Sequence, residues 1–214
     1  MTELALSRLH FPVTTLGPGR RIGVWFQGCT IGCRGCISPD TWAHGRGLTT
    51  VAAVMDAMSP WIAGAEGLTV SGGEPFEQAD ALAALLQSWR ARSSASVLVF
   101  TGFTHEAIRP WIQAHPGLID AIVCGPFDRA APQTLALRGS DNQTLHVLTQ
   151  AGGGFAQYER LVEASDRRLD VMFDDGGGAW FAGIPARDDF RRLTRALKAA
   201  GHQVTRSDRG RASA

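Results

Sequence analysis

Three of the four cysteines, Cys29, Cys33 and Cys36, fall within eight residues, while Cys124 stands alone at the end of an apolar run. Three thiols cannot pair among themselves without leaving one over, whereas a short loop can place three sulfurs around one metal centre. Glycines before and between these cysteines let the loop turn tightly, because glycine adopts a positive φ without steric cost. The spacing therefore favours a [4Fe-4S] cluster with three cysteine ligands.

The missing fourth ligand bears on the chemistry of such a cluster. A cluster that only transfers electrons usually has four cysteine ligands, since an iron without a protein ligand is labile and reactive. Three ligands leave one iron free, and this indicates that a substrate or a cofactor binds at the open position.

A second element, Ser71-Gly72-Gly73-Glu74-Pro75, directly follows a short apolar run. Paired glycines at the end of a strand allow a ligand to approach the backbone closely. Glu74 adds an acceptor suited to an ammonium group, and Pro75 restricts the turn. Ligands on open α/β sheets lie beyond the carboxyl ends of the strands, where this turn and the cysteine loop are both expected. Taken alone, the pentapeptide is equally compatible with a tight strand-to-helix turn.

Strand-length apolar runs alternate with helix-length amphipathic segments. The predicted strands are 22–27, 68–71, 97–101, 118–124 and 145–148. The predicted helices are a segment that starts after Thr49 or Thr50 and is disturbed at Pro60, followed by 77–92, 104–113 and 188–200. Two apolar stripes mark predicted core faces: Val51, Val54, Met55 and Met58 on the first helix, and Ala81, Leu82, Leu85, Leu86 and Trp89 on the second.

The alternation predicts an α/β fold with a mainly parallel sheet, because parallel strands need crossover connections of helix length. About five βα units are too few for a complete eightfold barrel, so an open, partial, TIM-like βα barrel is expected. A C-terminal extension of about 151–206 adds a small β-hairpin, with its tip at Asp174-Asp175-Gly176, and a helix. We expect a single domain over 1–214, with a core of about 17–150 and a loose tail at 207–214.

The 214-residue chain carries 21 basic and 20 acidic residues, a formal net charge of +1. This balance argues against a nucleic-acid-binding protein and against a polybasic membrane-binding protein. No apolar run approaches the ~18 residues that a membrane span requires, and residues 1–10 lack the layout of a signal peptide. The expected protein is therefore soluble and cytoplasmic.

The cysteine triplet followed by Gly72-Gly73-Glu74-Pro75 resembles the radical S-adenosylmethionine (SAM) superfamily, and its small activating enzymes more than its large barrels. Further segments resemble the anaerobic ribonucleoside-triphosphate reductase activating proteins within that superfamily. These segments are Cys33-Arg34-Gly35-Cys36 with Thr41-Trp42, Thr101-Gly102-Phe103, Gly125-Pro126-Phe127 and Arg138-Gly139-Ser140-Asp141-Asn142-Gln143. The resemblance covers about residues 17–148.

The resemblance implies a radical SAM activity. It implies that the three clustered cysteines bind a [4Fe-4S] cluster and that Gly72, Gly73 and Glu74 face the amino end of S-adenosyl-L-methionine. Asn142 is a further candidate for contact with the ribose or the carboxylate of that cofactor. One electron would cleave the sulfur–C5′ bond to give methionine and a 5′-deoxyadenosyl radical. That radical would abstract hydrogen from a substrate, such as a backbone glycine of a glycyl radical enzyme.

Departures from the activator pattern bear on the partners. Ser38 stands where these activators commonly carry Asn, Gly35 stands where many superfamily members carry an aromatic residue, and the chain extends beyond the shortest activators. These differences leave the cluster and cofactor predictions intact but leave the reductase partner open. Cys124 alone cannot bind a second cluster, so an external low-potential reductant, a flavodoxin or a ferredoxin, is expected.

Other interpretations stay open at this point. One is a radical SAM enzyme that modifies a small molecule or a peptide. Another is a non-catalytic iron–sulfur or zinc-binding module, in which His44 completes the zinc site.

Cys124 is expected to be a core residue. The glycines at 152–154 are interpreted as a linker. Gly17-Pro18-Gly19-Arg20-Arg21 is interpreted either as an anion- or partner-binding loop or as a plain turn with two solvated arginines.

Overall fold

The computed structural model describes residues 2–173 and 178–204. Seven strands form one sheet in the spatial order β3-β1-β2-β4-β5-β6-β7, and two more form a separate hairpin. The strands are β1 (Glu3–Val13), β2 (Arg21–Phe26), β3 (Leu48–Thr50), β4 (Gly67–Gly72), β5 (Ser96–Phe100), β6 (Ala121–Cys124), β7 (Thr144–Val147), β8 (Asp170–Phe173) and β9 (Ala179–Ala182). The helices are α1 (Val51–Ile62), α2 (Ala79–Arg90), α3 (His105–Ala114) and α4 (Asp189–Ala199). Within the described residues, no helix is long and apolar enough to cross a membrane.

The centre of the sheet is parallel. β2, β4, β5 and β6 run in one direction, and Val24, Val70, Val99 and Ile122 form one row across them. The mainly parallel sheet predicted from the alternation of strands and helices is therefore confirmed. The sheet is open in the described part of the chain, and its likeness to part of a TIM barrel stays a prediction.

The two edges of the sheet are antiparallel and differ from the sequence prediction. Neither β1 nor β3 is predicted from the sequence, because β1 mixes polar and apolar residues and β3 is very short. β7 runs antiparallel to β6, with Val123 opposite Leu145. The connection between them contains turns and no helix, so it cannot supply the crossover that a parallel strand would need.

The helix α1 begins after Thr50, as predicted, and the Thr50 hydroxyl oxygen accepts a hydrogen bond from the Ala53 N–H at 3.2 Å. Pro60 lies inside the helix near its end without terminating it, and the helix continues to Ile62. The two predicted apolar stripes on α1 and α2 are buried. They pack on one face of the sheet, in the same core as Ile22, Val24 and Phe26 of β2.

The C-terminal extension packs on the other face of the sheet. Trp25 of β2 packs with Met172 of β8, and Phe155 packs with residues of β5 and β6. Residues 150–158 form a 3₁₀ helix, so the interpretation of the glycines at 152–154 as a linker is wrong. The reason is tertiary: Phe155 is 1% exposed and anchors this glycine-rich segment in the core.

The predicted hairpin and final helix are both present. β8 and β9 pair antiparallel, with Val171 opposite Phe181, and α4 lies within the predicted 188–200 segment. The predicted hairpin tip, Asp174-Asp175-Gly176, and the predicted tail at 207–214 lie outside the described residues.

Arg21 is a fully buried cation at the start of β2. Its guanidinium donates to the Thr69 hydroxyl at 2.7 Å and to the carbonyl oxygens of Leu68 and Ser96, each at 2.8 Å. Burial lowers its pKa to about 10. Arg21 therefore ties β2 to β4 and β5 at the end of the strands remote from the cysteine loop, and the interpretation of this arginine as solvated is wrong.

Cys124 is 1% exposed and lies in the main core, which confirms its predicted packing role. Burial raises the pKa of its thiol to about 12, so the reactive thiolate is nearly absent at neutral pH. We expect iodoacetamide at neutral pH to modify the half-exposed loop cysteines of the folded apoprotein and to reach Cys124 only after unfolding. Mass spectrometry of the peptides measures this, and rapid modification of Cys124 in the folded protein would contradict it.

Candidate cluster and cofactor site

The cysteine loop and the Gly-Gly-Glu-Pro turn lie side by side at the carboxyl edge of the parallel strands. The loop follows β2 and the turn follows β4, which are neighbours with Phe26 opposite Gly72. The Gly73 N–H donates to the carbonyl oxygen of Phe26, and the Glu74 N–H donates to that of Gly28, both at 2.8 Å. The prediction that the two elements meet beyond the strand ends is confirmed.

Only glycine fits where these two segments touch. A Cβ on Gly73 would lie 2.1 Å from the Gly28 carbonyl oxygen. Gly72 has a φ of +101°, and a Cβ there would lie 2.5 Å from the Phe26 carbonyl oxygen. Backbone therefore packs directly on backbone, and the position of the cysteine loop is coupled to that of the turn.

Cys29, Cys33 and Cys36 are half-buried and form no disulfide bonds. Burial raises the pKa of Cys29 and Cys36, and the pKa of Cys36 is raised further by the two neighbouring cysteine sulfurs. A metal ion offsets this penalty, because it binds the thiolate and displaces the proton. As positioned in the described residues, no group of three or more His, Cys, Asp or Glu side chains could hold a metal ion. The donor set, three soft thiolates on a glycine-rich loop, nevertheless fits an iron–sulfur cluster that draws the sulfurs together.

Glu74 joins the turn after β4 to the loop after β5, and its side chain is buried at 1% exposure. Its carboxylate accepts hydrogen bonds from the Thr101 hydroxyl at 2.7 Å, the Gly102 N–H at 2.8 Å and the Phe76 N–H at 3.0 Å. Burial raises its pKa. A carboxylate has about four acceptor positions, and these bonds occupy three of them. The role of Glu74 toward SAM stays a prediction.

Asn142 lies in the connection between β6 and β7. Its amide nitrogen donates to the Pro126 carbonyl oxygen at 2.8 Å, and Gln143 donates to the Gly125 carbonyl oxygen at 3.0 Å. These bonds shape the Gly125-Pro126-Phe127 turn, which is the observed role of the segment. The predicted contact of Asn142 with the cofactor stays a prediction.

Glu77 accepts hydrogen bonds from the cysteine loop, a role that is not predicted from the sequence. Its Oε1 accepts hydrogen bonds from the Thr30 N–H at 2.8 Å and the Thr30 hydroxyl at 2.5 Å, directly after Cys29. Its Oε2 lies 3.1 Å from Nε2 of His44, the residue considered for a zinc site. Partial burial raises the pKa of Glu77, but the hydrogen bonds from Thr30 and His44 lower it overall. No local pattern marks this contact, because 47 residues separate Glu77 from Thr30.

Sequence comparisons relate the chain to iron–sulfur proteins. The family of 4Fe-4S single cluster domains matches residues 15–146. The anaerobic ribonucleoside-triphosphate reductase-activating protein of Enterobacteria phage T4 is 32% identical over 136 residues, which cover 60% of this chain and 85% of that protein. The chain belongs to the 4Fe-4S single cluster family of radical SAM activating proteins.

Two further members of this activating family show how far the likeness extends. The anaerobic ribonucleoside-triphosphate reductase-activating protein of Vibrio cholerae is 29% identical over 149 residues, or 65% of this chain and 96% of that protein. The pyruvate formate-lyase-activating enzyme of Listeria monocytogenes is 42% identical over 93 residues, but these cover only 38% of this chain and 36% of that enzyme. The family match ends at residue 146, so the C-terminal extension lies outside it.

We expect Glu77→Ala to weaken the retention of iron by this family member. The substitution removes both hydrogen bonds to Thr30, and losing a group that orients a metal ligand typically costs about 10–100-fold in metal affinity. Asp80→Ala is the matched control, since Asp80 is an exposed carboxylate one turn further along the chain. Competition with an iron chelator measures the affinity, and equal retention by the two variants would contradict the prediction.

Proposed function

We propose that this chain is a radical SAM enzyme that binds one [4Fe-4S] cluster through Cys29, Cys33 and Cys36 and activates a glycyl radical enzyme. The observation that supports this most strongly is the backbone packing of the cysteine loop on the Gly72-Gly73 turn at the carboxyl edge of the sheet. A small molecule bound at an open iron there would also meet partly exposed glycine backbone. Neither element alone would provide both contacts.

Each residue of the proposed site has a distinct task. When bound, the cluster supplies one electron that cleaves the sulfur–C5′ bond of SAM into methionine and a 5′-deoxyadenosyl radical. The three cysteines leave one iron without a protein ligand. Gly72 and Gly73 let the amino end of SAM approach the backbone, and Glu74 accepts from its ammonium group at the remaining position. Asn142 contacts the ribose or the carboxylate through its side-chain oxygen.

The proposed partners follow from the relatives and from the cysteine content. Relatives are named for activating anaerobic ribonucleoside-triphosphate reductase and pyruvate formate-lyase, which supports a protein substrate whose backbone glycine gives up a hydrogen atom. Loss of that atom to the 5′-deoxyadenosyl radical would give 5′-deoxyadenosine and leave a glycyl radical on the partner. Cys124 is the one remaining cysteine and lies in the core. The chain therefore lacks thiol ligands for a second cluster, and a flavodoxin or a ferredoxin supplies the electron.

Anaerobic reconstitution with iron and sulfide tests the proposal. We expect a brown protein with about four irons per chain, which forms equal amounts of methionine and 5′-deoxyadenosine from SAM and dithionite. A colourless protein that retains zinc, or an iron protein that leaves SAM intact, would overturn it. With a glycyl radical enzyme added, an organic radical is expected on that partner. Formation of 5′-deoxyadenosine without a partner radical would instead favour a small-molecule or peptide substrate.

A further inference from the structure

A short segment between β6 and β7, residues 127–131, lies against the cysteine loop, and we call it the arm. A Cβ on Gly35 would lie 3.1 Å from Cδ and 3.2 Å from Nη1 of Arg129, and 3.6 Å from Cε1 of Phe127. Gly35 immediately precedes Cys36 and has a φ of +82°. The arm therefore packs on the last turn of the loop, where the absence of a side chain at residue 35 makes room for it.

The C-terminal extension holds the arm from its other side. The Arg187 guanidinium donates through Nη1 to the Arg129 carbonyl oxygen at 2.7 Å and through Nη2 to the Ala131 carbonyl oxygen. The Gln133 amide donates to the Pro185 carbonyl oxygen at 3.0 Å. The planar guanidinium of Arg187 thus binds two peptide groups of the arm. Its N–H donors are held in a fixed arrangement, so the side chain loses little conformational freedom for each hydrogen bond it forms.

A second arginine, Arg167, lies in the extension and binds the segment that directly follows the arm. Arg167 is half-buried and donates to the Gln133 carbonyl oxygen at 2.9 Å and to the Ile184 carbonyl oxygen at 3.3 Å. Burial lowers its pKa, but it stays charged at neutral pH. Backbone bonds add to this, since the Val162 N–H donates to the Thr134 carbonyl oxygen at 2.7 Å.

The extension is also anchored beside β1, near the opposite edge of the sheet. The Asp170 carboxylate of β8 accepts hydrogen bonds from the Thr14 hydroxyl at 2.8 Å and from the Thr15 hydroxyl at 2.9 Å, just after β1. The Arg8 guanidinium of β1 lies over the Trp180 ring of β9 at 4.3 Å. The extension is therefore attached to the sheet on both sides, so it can serve as a fixed support for the arm.

We propose that the C-terminal extension stabilises the cysteine loop through the arm, and that Arg187 is the positioning residue at that contact. The inference rests on the proposed function, because it concerns the loop whose cysteines would bind the cluster. All three proposed ligands lie on this one loop, so an opening of the loop would weaken the hold on the cluster. Restricting the arm restricts that opening, since a packed segment moves less when both of its faces are held.

The test compares the rate of iron loss from reconstituted variants under anaerobic conditions with an iron chelator. Arg187→Ala is expected to lose iron about fivefold faster than the wild type, the effect of losing about one net hydrogen bond. Arg187→Lys, which keeps one cationic donor group, is expected to lie between them. Arg192→Ala is the matched control, since Arg192 is an exposed arginine of α4 whose guanidinium donates to Asp189 of the same helix. Wild-type rates of iron loss in Arg187→Ala would overturn the proposal.

Two further measurements separate positioning from general destabilisation. Hydrogen exchange of the apoprotein is expected to quicken in the peptide that contains residues 30–42 and to stay unchanged in the peptide of α2. Arg129→Ala removes the side chain that packs on Gly35, and the Arg129→Ala/Arg187→Ala double variant is expected to lose iron no faster than the faster single variant. The proposal would be overturned if the increases in the rate of iron loss of the two single variants multiplied in the double variant. It would also be overturned if hydrogen exchange quickened throughout the protein. A wild-type protein that binds no iron at all would refute the proposed function instead.

Discussion

Cys33→Ala is expected to abolish the cleavage of SAM while leaving the chain folded. Cys33 is the middle member of the triplet and lies in a half-exposed loop, so its sulfur adds little to the core. Removing it leaves two protein ligands for the cluster. The expected loss of activity exceeds the roughly 100-fold effect of removing a group that merely orients a metal ligand. Liquid chromatography of 5′-deoxyadenosine after reduction with dithionite measures it.

Cys124→Ala is the matched control for that experiment. Its thiol is buried in the core at the end of β6, so the variant is expected to bind iron and to cleave SAM as the wild type does. Its free energy of unfolding is expected to fall by about 1 kcal/mol, the cost of a small cavity. If Cys33→Ala kept forming product, or if Cys124→Ala lost its iron, the ligand assignment would be mistaken.

Gly73→Ala is expected to impair both the cluster and the binding of SAM. The added methyl group would lie 2.1 Å from the Gly28 carbonyl oxygen, and backbone cannot move aside as a flexible side chain can. The cysteine loop must shift away from the turn, at a cost of roughly 1–3 kcal/mol for overpacking. We expect a lower iron content on reconstitution and at least about a tenfold weaker binding of SAM, the equivalent of 1.4 kcal/mol.

Gly153→Ala provides the comparison for Gly73→Ala. A Cβ on Gly153 meets nothing within 4 Å, so this variant tests the loss of a glycine without the clash. It is expected to bind iron and SAM as the wild type does. Equilibrium dialysis with labelled SAM and iron analysis measure both variants, and wild-type binding by Gly73→Ala would show that the two loops are not coupled as described.

The central part of the fold and the two site elements could be predicted from local patterns. Apolar runs predict the parallel strands, and the stripes on α1 and α2 predict the helical faces that the structure buries. The order of the cysteine triplet and the Gly72-Gly73 turn predicts their meeting, because both follow strands whose carboxyl ends share one edge. In each case the signal is local or follows from the rule for parallel connections.

What the sequence did not predict depends on contacts between distant segments. The pairing of β1 with β2 and β3 is set by partners rather than by the polar and apolar pattern of β1. Arg21 belongs to a residue type that is mostly exposed, and it is buried here only because strands far along the chain supply its acceptors. Glu77 and Arg187 are single charged residues with no pattern around them, so their contacts with the cysteine loop and the arm become visible only in three dimensions.

The central claim is that three cysteines hold a cluster whose remaining iron binds SAM. Mössbauer spectroscopy of protein reconstituted with isotopically enriched iron tests it most directly, with spectra recorded before and after the addition of SAM. We expect one iron in four to change its isomer shift on addition of SAM, while the other three keep theirs, and no such change when SAM is added to the Cys33→Ala variant. Isomer shifts that stay the same for all four irons when SAM is added, or a protein without bound iron, would contradict the account.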